Sequence, residues 1–151
     1  MEDLNTMSRT AIDLQHSFIT YDSDLHAVDA PQSFAALSDE SVRCVLGAVD
    51  FVDDESVHAD QWECHPLGDE TLCVLEGRLL VEINREDAIE AVPLVKGQAL
   101  IVPRARWHRL RVLEPGRLLF FTPVAGTALS SVVARGENLD RETGARERSL
   151  A

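Results

Sequence analysis

Between residues 42 and 122 the chain alternates short apolar segments with turn-forming residues, and this alternation limits the possible folds more than any other feature. The segments are rich in Val, Ile, Leu and Phe, and the breaks between them carry Gly, Pro, Asn and Asp. Many strands with frequent turn signals and little helix predict an all-β sandwich or barrel. The predicted strands are 42–52, 59–65, 70–75, 78–85, 88–94, 99–102, 107–113 and 117–122.

The regions outside these strands are less patterned. Residues 18–21 are strand-like, 33–37 are predicted to form a short helical turn, and 127–134 fit a final strand or a helix. We therefore expect an N-terminal arm over 1–35, a β-barrel over 36–126 and a C-terminal extension over 127–151. Residues 135–151 mix Arg with Glu and have no apolar face, which predicts a flexible, charged tail.

Bulk composition fits a soluble globular protein. A length of 151 residues suits one domain, and 45% apolar with 26% charged residues is ordinary. The first residues lack a basic region followed by an apolar run, and nowhere does an apolar stretch reach the roughly 20 residues of a membrane span. Three cysteines without a close pair argue against a disulfide framework and agree with a reducing compartment. We expect a cytoplasmic protein without membrane contact.

The net charge excludes one class of partner. A formal charge of −12 and an isoelectric point near 4.7 would repel phosphate backbones. Nucleic-acid binding depends on a basic surface that releases counterions, so DNA and RNA are poor candidates.

Strand geometry predicts a polar cluster on an apolar interior face. Alternate residues of a strand share a face, so Glu63 and His65 should point the same way, and His108 should share the inner face with Leu110 and Val112. An interior face normally excludes His and Glu unless they are paired or bind something.

The predicted ligands suit a divalent metal ion. His65, Glu70 and His108 would supply two imidazoles and one carboxylate, as in non-haem Fe(II) sites, and Glu63 a second carboxylate. Such donors favour Fe(II), Mn(II) or Zn(II), with Ni(II) also possible. Two carboxylates neutralise a divalent cation and make it a weaker Lewis acid than three histidines would. The alternative is a metal-free polar cluster in which a glutamate pairs with Arg78 or Arg106.

The first of two sequence cassettes, residues 62–77, resembles the cupin family. The family pattern has two histidines one residue apart, then a glutamate, then a glycine, and His65, Glu70 and Gly77 fit it. Glu63 stands where the first histidine is expected and Val57 where the leading glycine is expected.

The second cassette, residues 97–108, is similar to the other cupin motif. Gly97, Pro103 and His108 fit, Ala105 replaces the inner glycine, and Val112 stands where an asparagine is expected. The short stretch between the cassettes resembles compact single-domain bacterial cupins, and the likeness covers roughly residues 42–125.

The resemblance implies a double-stranded β-helix, or jelly-roll barrel, with a metal deep inside and frequent pairing into homodimers. Cupins include oxygenases, isomerases, lyases and decarboxylases as well as non-catalytic ligand-binding proteins, so the fold alone does not decide the reaction. Three functions stay open: a metal-dependent enzyme on a small organic acid, sugar derivative or aromatic, a small-ligand sensor, and a scaffold dimer with a vestigial site. If one of the two glutamates is not a ligand, it could act as a general base.

Other notable residues have ordinary structural interpretations. His16, His26 and His58 lie outside the cassettes, and the three cysteines are interpreted as packing residues. Trp62 and Trp107 fall on the outward parity, which predicts that they cover a sheet face or a subunit contact. Gly77 and Gly97 are interpreted as turn residues with positive φ.

Overall fold

The computed structural model describes residues 10–131 together with the short segments 138–139 and 146–147. Within them most of the regular secondary structure is β-strand. The strands are β1 (Ser17–Tyr21), β2 (Ala27–Pro31), β3 (Cys44–Phe51), β4 (Trp62–Cys64), β5 (Glu70–Asn84), β6 (Ile89–Val95), β7 (Ala99–Val102), β8 (His108–Pro123), β9 (Ala128–Ser130), β10 (Asn138–Leu139) and β11 (Arg146–Glu147). One helical turn, α1 (Phe34–Leu37), and a 3₁₀ turn at Glu55–Val57 complete the described secondary structure.

Two long strands organise the sheet. β5 and β8 pair antiparallel from Thr71↔Phe121 to Ile83↔His108. The first half of β5 also pairs with β7 and its second half with β6, while the two halves of β8 pair with β4 and β3. The sheet therefore has two halves that share β5 and β8, and the predicted all-β architecture is confirmed.

The bend between the halves lies where the sequence predicted turns. The β5–β8 register shifts between Val74 and Leu79, and such bulges bend a strand. Gly77 has φ +80°, and a Cβ at Gly116 would overlap the carbonyl oxygen of Glu76. The breaks predicted at Glu76–Gly77 and at Pro115–Gly116 are thus wrong as strand ends, because each is a bend inside one continuous strand.

The main core fills the space between the two halves of the sheet. In β5 the buried positions are even-numbered from Glu70 to Val74 and odd-numbered from Leu79 to Ile83, since the register shift moves the inward face by one residue. This core consists of Phe51, Leu72, Val74, Leu79, Val81, Ile83, Leu94, Val102 and Leu118.

The ends of the chain add to the same sheet. β1 pairs with β2 and β3, and β9 pairs with β4. The helical turn predicted over 33–37 is present as α1, and the segment 127–134 contains the strand β9. β10 pairs with β11 in a separate two-stranded sheet, while the rest of the predicted flexible tail over 135–151 lies outside the described residues. Among the described residues, no helix combines the length and apolar character needed to cross a membrane.

Candidate metal centre

The four predicted site residues come from three neighbouring strands. Glu63 lies in β4 and His65 directly follows it, while Glu70 and His108 begin β5 and β8. Glu63 is the pairing partner of His108 across β4 and β8. One ligand atom from each of the four side chains lies within 4.8 Å of the others, so the structure brings the whole predicted set together.

Glu70 occupies the middle of the cluster. Its Oε1 lies 3.0 Å from His108 Nε2, and its Oε2 lies 3.2 Å from His65 Nε2. The hydroxyl of Thr122 donates to the same Oε2 at 2.6 Å. Glu63 Oε1 lies 2.8 Å from His65 Nε2 and 3.9 Å from His108 Nε2. Both Nε2 atoms and both carboxylates therefore face one common point.

Burial distinguishes one glutamate from the other three residues. The side chains of His65, Glu70 and His108 are 4%, 5% and 3% exposed, whereas that of Glu63 is 40% exposed. The cluster is therefore closed on the side of Glu70 and reaches solvent on the side of Glu63.

The outer nitrogens of the imidazoles are engaged elsewhere. His108 Nδ1 lies 3.1 Å from the carbonyl oxygen of Arg106, which only accepts, so Nδ1 donates there. His65 Nδ1 lies 2.9 Å from the hydroxyl oxygen of Thr127. Such outer hydrogen bonds orient metal-binding histidines and direct the Nε2 lone pair towards the ion.

The cluster also changes the charge state of its members. Burial alone would lower the pKa of His65, but its hydrogen bonds to Glu63 and Glu70 outweigh burial and raise that pKa to about 9. Burial likewise opposes charge on His108, yet the hydrogen bond to Glu70 raises its pKa. Burial would raise the pKa of Glu70, but hydrogen bonds from His108 and His65 lower it. The contacts with the glutamates therefore favour the protonated forms of both histidines when no metal is bound.

These charges fit a divalent cation. A divalent ion bound to two neutral imidazoles and two carboxylates would give a total charge of zero. Imidazole nitrogens with carboxylate oxygens are donors that suit Fe, Mn, Zn and Ni ions. The residues present could therefore hold such an ion, which would replace protons on the imidazoles.

The predicted pairing of a site glutamate with arginine is not what the structure shows. Arg78 Nη1 lies 3.3 Å from Glu114, away from the cluster. The buried Nη1 of Arg106 has no hydrogen-bond partner among the described residues. The polar contacts described for Glu63 and Glu70 go to histidines and to Thr122.

The two tryptophans, which were predicted to cover a sheet face or a subunit contact, are buried within the chain. Trp62 and Trp107 are 7% and 1% exposed and form a second small core with Cys64. The guanidinium of Arg109 lies 4.6 Å from the Trp62 ring centroid, and Ala128 of β9 packs against the cluster. Parity placed both rings on the outer side of their strands correctly, but β9 and the adjacent turn cover that side.

Sequence reasoning missed two hydroxyl groups. Thr122 and His108 are both even-numbered positions of β8. Had the sequence analysis predicted β8 as one continuous strand, alternation would have placed Thr122 on the inner face with His108. Thr127 lies in the turn before β9, where no periodic signal exists. Ala105 has φ +63°, a left-handed conformation that favours glycine, and it stands at the position where the resembled motif has glycine.

A second group of possible ligands differs in character. Asp22, Asp24 and His26 lie in the β1–β2 turn and are partly or largely exposed. Asp22 accepts from the backbone N–H groups of Asp24 and His26, so the turn itself accounts for the arrangement.

No family model and no curated protein matches the chain. Among solved structures, a cupin-2 domain protein from Shewanella frigidimarina matches with a TM-score of 0.43 and 18% identity, covering 54% of this chain and 71% of its own. A cupin superfamily protein from Desulfitobacterium hafniense matches with a TM-score of 0.43 and 19% identity, covering 54% and 68%.

Fe(II)-HppE with an alternative substrate matches with a TM-score of 0.43 and 21% identity, covering 53% of this chain and 42% of its own. Each of these three matches covers about half of this chain.

Proposed function

We propose that this chain is a cupin-type protein that binds one divalent metal ion, Fe, Mn, Zn or Ni, through His65, Glu70, His108 and Glu63. The observation that carries the proposal is the convergence of two imidazole nitrogens and two carboxylates within 4.8 Å, with three of the four residues buried. Four ionisable groups inside a β-structure are costly to bury, and a metal ion gives them a common partner.

The exposed side of the cluster suggests where a small molecule would approach. Three buried donors would hold the ion, and the 40% exposed Glu63 stands between it and solvent. When bound, the metal would supply Lewis-acid chemistry for a small organic acid, sugar derivative or aromatic. The chain's own residues would position the ion, and Glu63 or Glu70 would act as a general base where one of them is not a ligand. Oxygenase, isomerase and lyase reactions are the candidate classes.

A second candidate function is non-catalytic binding of a small ligand. The observation that favours it is the second carboxylate, because two negative ligands reduce the Lewis acidity of the ion compared with a three-histidine site. The protein would then report ligand binding through a partner contact.

Assembly and location are part of the same proposal. We propose a homodimer formed through edge strands, because Val28 on β2 and Leu129 on β9 are each 61% exposed at the two ends of one sheet path. We propose a cytoplasmic location, in agreement with three cysteines that form no disulfide.

The decisive experiment measures metal. We expect protein purified without added metal, or loaded with Mn(II), Fe(II) or Zn(II), to retain about one ion per chain. His65→Ala combined with His108→Ala should abolish retention, while circular dichroism checks that the sheet remains. His16→Ala combined with His58→Ala is the matched control, because both residues are exposed and lie outside both groups of possible ligands.

Wild-type protein that cannot be loaded with any of these ions would refute the metal site. If the protein does retain metal, oxygen consumption and product analysis across small acids and diols would distinguish an enzyme from a non-catalytic binding protein. Light scattering that gives a monomeric mass would contradict the dimer.

A further inference from the structure

We propose that Thr127 is a positioning residue that determines which nitrogen of His65 faces the metal. The inference rests on the proposed metal site and extends it to a residue in the turn between β8 and β9. The residue would act through His65 and would not contact the ion itself.

The hydroxyl of Thr127 has two neighbours with different hydrogen-bonding abilities. Its Oγ1 lies 2.9 Å from His65 Nδ1 and 3.4 Å from the carbonyl oxygen of Pro123. A carbonyl oxygen only accepts, so the hydroxyl hydrogen points to Pro123 and a lone pair faces Nδ1. Nδ1 then carries the hydrogen that it donates to Thr127. Once His65 loses its second proton and becomes neutral, the Nε2 lone pair is then available to bind the ion.

The two site histidines differ in the hydrogen-bond partner that turns the Nε2 lone pair towards the ion. His108 Nδ1 faces the carbonyl of Arg106, which accepts in every state of the site. His65 Nδ1 faces a hydroxyl, which can accept or donate. If Thr127 donated instead, the hydrogen of neutral His65 would lie on Nε2 and block the ion. The contact with Pro123 therefore decides whether His65 is a ligand.

The sheet holds Thr127 at the required position. Its backbone N–H donates to the carbonyl of Val124 at 3.2 Å, closing the turn after β8. The next residue, Ala128, pairs with Cys64, which immediately precedes His65. The β4–β9 pairing thus fixes both ends of the Thr127–His65 hydrogen bond, so addition of β9 to the sheet completes the site.

The test compares two substitutions at Thr127 with a matched substitution elsewhere. Thr127→Val removes the hydroxyl at nearly constant volume and should weaken Zn(II) binding by roughly 10- to 100-fold, whereas Thr127→Ser should restore wild-type affinity. Thr20→Val makes the same chemical change at a buried threonine of β1 outside the cluster, and it should leave the affinity unchanged. Affinities are measured by competition with a chromophoric chelator.

A spectroscopic measurement on the wild-type protein keeps the test independent of variant folding. Nitrogen-15 NMR of the Zn(II)-loaded protein should show hydrogen on His65 Nδ1 and zinc on Nε2. An unprotonated Nδ1, or a Thr127→Val protein that binds Zn(II) as tightly as wild type, overturns the role of Thr127 but leaves the metal site intact. Wild-type protein that binds no Zn(II), Mn(II) or Fe(II) overturns both.

Discussion

The two sides of strand β4 differ in the kind of side chain they present and in their exposure to water, since the Glu63 side chain is 40% exposed whereas Trp62 is buried. On one side Trp62 and Cys64 pack with Trp107 in an apolar cluster. On the other side Glu63 and the adjacent His65 meet Glu70 and His108. Strand β4 therefore has a small hydrophobic core on one face and a cluster of four ionisable groups on the other.

The two sides contribute differently to stability. Burial of the indole rings stabilises the fold, at about 25 cal/mol for each Å² of apolar surface removed from water. Burial of charged groups costs free energy, and even a well-paired ion cluster is often no better than apolar packing of the same volume. The tryptophan side therefore contributes stability, and the cost of the polar side is what the proposed metal ion would offset.

The largest expected effect is on the apolar side. Trp107→Ala removes a ring that is 1% exposed, and we expect it to reduce the free energy of unfolding by about 3–5 kcal/mol. Urea denaturation of metal-free protein measures the loss. Ile101→Ala, at a residue 63% exposed, is the surface control and should change stability by less than about 0.5 kcal/mol. If folded Trp107→Ala protein lost metal binding, the tryptophan cluster would be needed for the metal site as well as for stability.

The second largest expected effect is the pH dependence of the free energy of unfolding that the histidine–glutamate cluster causes. The pKa of His65 is raised from 6.5 to about 9 on folding, so its ion pairs stabilise metal-free protein below pH 6.5 and are lost as the pH rises towards 9. The lowered pKa of Glu70 acts in the other direction, and its contribution is lost only as the pH falls below the ordinary glutamate range. We expect the free energy of unfolding to fall by on the order of 3 kcal/mol between pH 6.5 and 9.

A bound metal should reverse this dependence. Protons compete with the ion for both imidazoles, so the rise in melting temperature caused by Zn(II) or Mn(II) should grow from pH 6 to pH 8. Calorimetry with and without a chelator at each pH measures the effect. A metal-induced rise that shrinks over this range would be inconsistent with the proton-for-metal exchange.

A smaller effect should separate the two glutamates. Glu70 is buried and bonded to both histidines and Thr122, so Glu70→Gln should weaken metal binding by about 100-fold, or about 2.7 kcal/mol. The carboxylate of Glu63 is 40% exposed, and water screens its charge, so Glu63→Gln should weaken metal binding by only about 10-fold. Isothermal titration measures both. Equal losses would mean that exposure does not distinguish the two ligands.

The smallest effect concerns the turn that precedes β8. Ala105 has φ +63°, a conformation that costs a non-glycine residue about 1–2 kcal/mol. Glycine would relieve this strain but loses about 0.5–1 kcal/mol through its more flexible unfolded state. Ala105→Gly should therefore stabilise the protein by roughly 0.5 kcal/mol. A clear loss of stability would mean that the contact of Ala105 with the tryptophan cluster outweighs the strain.

Much of the site could be predicted because it depends on local geometry. Alternation along a strand gives the direction of Glu63, His65 and His108 from the sequence alone, since strands allow only two faces. The predicted positive φ of Gly77 and Gly97 is also confirmed, with φ +80° and +84°. Thr127 could not be predicted, because its role depends on a turn that only the β4–β9 pairing brings next to His65.

The sequence by itself determined an all-β chain and the identity of four convergent polar residues, because hydrophobic period and turn chemistry act over a few neighbouring positions. The tertiary structure alone decided that β5 and β8 run unbroken through their bends, that both tryptophans are covered, and that Glu63 faces solvent while Glu70 does not. These features depend on contacts between strands far apart in the chain. A periodic pattern states which face a residue takes, but only the assembled sheet determines what covers that face.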